Sequence, residues 1–78
     1  MGGKFLAINQ EYEVVESKSF KFRDEALTYL TERFNRELES MNNNNEDIID
    51  ESIDRVSGTA RLFYEDNGEV LGYAMYVL

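Results

Sequence analysis

Polar and apolar positions along the chain repeat with two periods. Between Arg23 and Met41 the residues Ala26, Leu27, Leu30, Phe34, Leu38 and Met41 recur at steps of three and four. That spacing stacks them on one side of a helix and predicts an amphipathic helix over 23–41. Asp24 and Glu25 fall in its first turn, where the helix dipole favours negative charge, although no Ser or Thr precedes them as a cap. The run Asn42 to Asn45 ends the helix, because Asn side chains compete for backbone hydrogen bonds and tolerate the left-handed conformation.

The segments on either side follow a shorter period. From Lys4 to Glu16, Phe5, Leu6, Ala7, Ile8, Tyr12, Val14 and Val15 give a β-rich run interrupted by Asn9-Gln10-Glu11, read as one bent strand or a short hairpin. Ser17-Lys18-Ser19 reads as a polar connection to the helix. From Thr59 to Leu78 two β-rich runs flank Glu65-Asp66-Asn67-Gly68, and Asn-Gly between such runs is a strong hairpin signal. Glu46 to Val56 fits two periods. Ile49, Ile53 and Val56 suit a short helix ending before Gly58, whereas Ile49, Glu51, Ile53 and Arg55 alternate as in a strand. The helical assignment is favoured.

These elements predict one α+β domain over residues 1–78, an antiparallel sheet with the long helix packed on one face. Val70 to Leu78 is apolar at both odd and even positions, which predicts a strand buried on both sides. A chain of 78 residues has little protein left to cover a second face. A homodimer resolves this, with Tyr73, Met75, Tyr76 and Val77 at its interface, and the alternative is a central strand with the helix on one side and loops on the other.

Composition narrows the chemistry. The chain has no His, Cys or Trp, so imidazole and thiolate catalysis and His/Cys metal sites are excluded. Asn43, Asn45, Asp47 and Asp54 overlay on a calcium loop only with Ile48 in place of the turn Gly and Asp54 in place of the bidentate Glu. The five Gly residues make no phosphate-binding spacing. No catalytic residue, metal or cofactor is expected. No apolar run approaches the ~20 residues needed to cross a bilayer, so a cytoplasmic protein without a membrane partner is expected.

Charge then points to a partner. Sixteen Asp or Glu stand against eight Lys or Arg, a net charge of −8. Such a chain is repelled by nucleic acid and attracted to basic protein surfaces. Glu37, Glu39, Glu46, Asp47, Asp50, Glu51 and Asp54 follow one another with no Lys or Arg among them. Carboxylates spaced roughly 5 to 7 Å apart approximate phosphates along a nucleic-acid strand. Glu11 and Glu13 lie on one face of a strand and extend the set. The alternative is a solvated face that serves solubility.

In size, in charge and in the tract Glu46-Asp47-Ile48-Ile49-Asp50-Glu51-Ser52-Ile53-Asp54, the chain resembles small acidic bacteriophage-encoded DNA-mimic proteins. Some of these inhibit the bacterial histone-like protein HU. The resemblance implies a non-catalytic inhibitor, acting in the host cytoplasm, that binds a basic nucleic-acid-binding protein of the host. The competing expectation is a dimeric regulatory module that binds a protein through the apolar surface of its C-terminal hairpin.

Overall fold

The apolar stripe of the helix lies against one face of an antiparallel sheet. The computed structural model describes residues 2–78, as β1 (Gly3–Asn9), β2 (Val14–Phe20), α1 (Arg23–Asn43), β3 (Asp47–Asp54), β4 (Thr59–Asp66) and β5 (Glu69–Val77). The strands form one sheet in the order β2-β1-β5-β4-β3, with every neighbouring pair antiparallel. The α+β class, the long helix and the C-terminal hairpin follow the sequence pattern.

Each turn uses residues suited to it. The side-chain oxygen of Asn9 accepts hydrogen bonds from the Glu11 and Glu13 amides at 2.9 and 3.0 Å, which closes the β1–β2 hairpin. Asn67 and Gly68 both have positive φ, 52° and 83°, as a tight hairpin turn matching the strand twist requires. The helix ends at Asn44, and Asn45 takes the left-handed conformation with φ 56°. At the other end, the Glu25 carboxylate accepts from the Phe22 amide at 3.2 Å and replaces the missing Ser or Thr cap.

The core forms where α1 meets the sheet. Ala26, Leu27, Leu30, Phe34 and Met41 of the helix close on Phe5, Ala7, Ala60, Leu62, Met75 and Val77 of the strands. Alternation along each strand sends the remaining residues to the opposite face, which no element covers. There Leu6 pairs with Tyr76, Ile8 with Ala74, and Phe63 with Gly72.

Three expectations are corrected. Glu46 to Val56 is not a helix, since β3 spans Asp47–Asp54 and pairs with β4. A helix would set Asp47 against Glu51 and Asp50 against Asp54 at like-charge i,i+4 spacing. The strand instead sends Asp50 and Asp54 to one side and Glu51 to the other, and a bulge beside Ile49 shifts the alternation. Ser17-Lys18-Ser19 is part of β2, because it pairs with Leu6, Phe5 and Lys4.

The third correction concerns β5. It is the central strand, paired on both sides, and exposes no edge. It is covered on one face only: Met75 and Val77 are 0% and 6% exposed beneath the helix, whereas Val70 and Tyr76 are 48% and 36% exposed on the open face. Met75 and Val77 are therefore core and cannot form a dimer interface. Tyr73 also packs against the core, which leaves Tyr76 as the one residue of the expected interface set on the open face.

Candidate functional site

Strand directions sort the charges along the long axis of a molecule measuring 43 × 22 × 17 Å. Asn9 pairs with Tyr73, Val70 with Glu65, and Asp47 with Glu65. The β1–β2 turn, the β4–β5 turn and the start of β3 therefore share one end. The C-terminus of α1 reaches the same end, where Met41 and Asn44 border a notch with Tyr64 and Tyr73. Glu11, Glu13, Glu39, Glu46, Asp47, Glu65, Asp66 and Glu69 collect there, and Arg36 stands beside them, bordering a hollow with Glu39, Asn43 and Asn44. No basic residue stands in the last turn of α1, so the negative end of the helix dipole adds to this field.

The opposite end carries Lys4, Lys18, Lys21, Arg23 and Arg55, with Asp24, Glu25 and Asp54 among them, around the start of the helix and the β3–β4 turn. The chain is thus acidic overall and also electrically polar along its length. The notch at the acidic end is small, about 90 Å³, and draws together Glu37 and Glu46 beside Tyr64. Burial, together with the charges of Glu46 and Asp66, pushes the Tyr64 phenol above its ordinary pKa.

The structure divides the acidic tract. Asp47, Asp50, Glu51 and Asp54 lie along β3, an edge strand, where alternate residues are ~6.6 Å apart. Two of the four have local duties. Asp50 is paired with Arg61 across the open face at 3.1 Å. Asp54 accepts hydrogen bonds from the Val56 and Ser57 amides at 2.9 and 3.3 Å, which hold its carboxyl below the ordinary pKa and tie the β3–β4 turn. Glu39 is exposed on the helix. Glu37 is bound by Arg33. Glu11 and Glu13 sit in and beside the β1–β2 turn rather than on a strand face. The nine acidic residues singled out from the sequence do not form one ridge. They split between the acidic end and the β3 edge.

One polar cluster escaped the sequence reading. Glu16 of β2 accepts hydrogen bonds from Tyr29 and, at 2.8 Å, from Arg33, which also holds Glu37. Burial raises the Glu16 carboxyl, but the Tyr29 and Arg33 hydrogen bonds outweigh it and hold the group below its ordinary pKa. Tyr29 also packs edge-on against Phe5, with ring centres 4.9 Å apart. This cluster fastens the helix to the sheet beside β2. The i,i+4 spacing of Arg33 and Glu37 was visible in sequence, but nothing there ties either to Glu16.

The open face carries an apolar concavity of about 330 Å³ bordered by Ile8, Tyr12, Phe63, Val70, Ala74 and Tyr76. Gln10 closes one side by accepting a hydrogen bond from the Gly72 amide at 3.3 Å. Among the described residues no group of three or more Asp or Glu has the geometry to hold a metal ion, and no helix is long and apolar enough to cross a membrane. No protein-family model, curated protein or solved structure matches this chain.

Proposed function

We propose that this chain is a non-catalytic binding protein that engages and inhibits a basic nucleic-acid-binding protein, presenting carboxylates where DNA presents phosphates. The observation that carries this reading is the segregation of charge. Eight carboxylates gather at one end, with Arg36 beside Glu39 as a basic neighbour and the negative pole of α1 added to them. Solubility alone would be served by interspersed charge. A strongly acidic end raises the encounter rate with a basic cleft and orients the approach. The exposed carboxylates of β3 run from this end along one edge. They also protect that edge from pairing with another strand, so the acidic end is the stronger support.

The test is binding of a basic nucleic-acid-binding protein to the intact chain, followed by a salt gradient and by competition with duplex DNA. The expected complex dissociates at moderate salt and is displaced by DNA. A variant carrying Asp47→Asn, Glu65→Gln, Asp66→Asn and Glu69→Gln should bind more weakly with an unchanged circular-dichroism spectrum. A complex that withstands high salt and ignores DNA would overturn the reading.

The open face favours a second reading, in which a protein partner docks on the apolar concavity. Val70→Lys with Tyr76→Lys would then abolish binding, and neutralising the acidic end would not.

A further inference from the structure

The two edges of the sheet are unlike. The β3 edge presents Asp47, Asp50, Glu51 and Asp54, so pairing it with another copy sets carboxylate against carboxylate. The β2 edge, Val14–Phe20, contains no Pro and carries one residue of each charge, Glu16 and Lys18.

The hydrogen-bond directions of β2 follow from its neighbour. Lys4 and Leu78 exchange backbone hydrogen bonds at 3.1 and 2.8 Å, so the peptide groups of Lys4, Leu6 and Ile8 face β5. Those of Gly3, Phe5 and Ala7 then face β2, where they meet Phe20, Lys18 and Glu16. The N–H and C=O groups of Ser17 and Ser19 therefore point outward, with no strand beyond them in this chain, while Val15 lies at the bulge where the alternation breaks.

We propose that the β2 edge pairs with the β2 edge of a second copy of this chain, antiparallel about a two-fold axis through Ser17. This inference is independent of the acidic-end reading. The axis sets Ser17 opposite itself and brings Ser19 to the second copy's bulge at Val15, and Ser17 and Ser19 are the residues whose peptide groups are free. It sets Glu16, already held by Tyr29 and Arg33 of its own chain, opposite the second copy's Lys18 as a non-hydrogen-bonded pair, the arrangement that brings side chains closest. Shifting the axis by one residue places Glu16 against Glu16 or Lys18 against Lys18, so charge selects the Ser17 register.

A net charge of −8 opposes association, and the β2 strand, with one Glu against one Lys, is the sheet edge that opposes it least. The two five-stranded sheets become one continuous sheet with both helices on the same side.

Sedimentation equilibrium of the intact chain over a concentration series tests this. The expected mass rises to twice the 9.1 kDa of one chain. Lys18→Glu, which faces Glu16 across the seam twice per dimer, should weaken association about tenfold. Ser17→Pro, which removes an outward donor and leaves the β1–β2 ladder intact, should also dissociate the pair. Should Lys18→Glu disturb the fold, Ser17→Pro and Ser19→Pro decide, since each removes only an outward donor and alters no charge. A wild-type mass that stays at one chain would overturn the proposal. So would a dimer that neither proline variant affects, or one that dissociates only with Tyr76→Lys on the open face.

Discussion

A methyl group on Gly72 would lie 2.1 Å from the carbonyl oxygen of Leu62 on the neighbouring strand. Gly72 has φ 145°, a conformation that side chains rarely adopt, and it sits mid-way along the central strand. The contact is with backbone and cannot be relieved by a rotamer change. Gly72→Ala is therefore expected to cost about 3 kcal/mol or more, on the order of the strain and overpacking penalties at such sites. That is a large share of the stability of a domain this small. Urea unfolding should show a sharply lowered midpoint or no folded baseline.

Met75 offers a contrast between surface and interior. It is fully buried beneath α1, next to Leu30 and Leu62 in the same core. Met75→Asp should unfold the chain by placing a carboxylate in that core, whereas Tyr76→Asp, one residue along and on the open face, should leave the circular-dichroism spectrum nearly unchanged. Leu30→Ala should destabilise by about 2–5 kcal/mol.

Acid should loosen the attachment of helix to sheet. The folded-state pKa of Glu16 is depressed, so its ionised form stabilises the native state above the ordinary glutamate value of about 4.3. That contribution is lost as pH falls through the depressed folded value. Thermal midpoints measured from neutral pH downward should drop through this window. In Glu16→Gln the drop should be smaller and start from a lower plateau.

Asp54 should behave as a turn residue rather than as part of a binding ridge. Asp54→Asn keeps an oxygen that can accept from the Val56 and Ser57 amides, and Asp54→Ala does not. Thermal stability should therefore fall more in the alanine variant than in the asparagine variant. Partner binding, measured on variants that remain folded, should respond less to Asp54→Asn than to neutralising Asp47 with Glu65.

How far the sequence revealed these features depended on whether the deciding information was local. The stripe from Ala26 to Met41 and the Asn67-Gly68 turn are local, and both formed as their patterns predict. The acidic segment 46–56 carries two periods at once, and pairing with β4 decides between them. Tyr73, Met75, Tyr76 and Val77 read as one apolar set. A period of two separates them, because the helix covers only the odd-numbered face. Glu16 and Arg33 belong to elements whose proximity only the fold reveals. The acidic end is assembled from three separate segments, so the most conspicuous acidic run in the sequence supplies only part of it.

The pairing of Phe5 with Val77 joins the first strand to the last. Two locally connected units, the β1–β2 hairpin and the β3–β4–β5 meander, can close early, yet each keeps an uncovered apolar face until β5 pairs with β1. Formation of the native sheet therefore waits on a contact that spans nearly the whole chain. Such long-range closure slows folding toward the millisecond-to-second range. Until it occurs, both units present open edges on which neighbouring chains can misassemble. A nascent chain lacking β5 has no sheet to complete, so a chaperone acting before that moment would meet two half-sheets and an unseated helix.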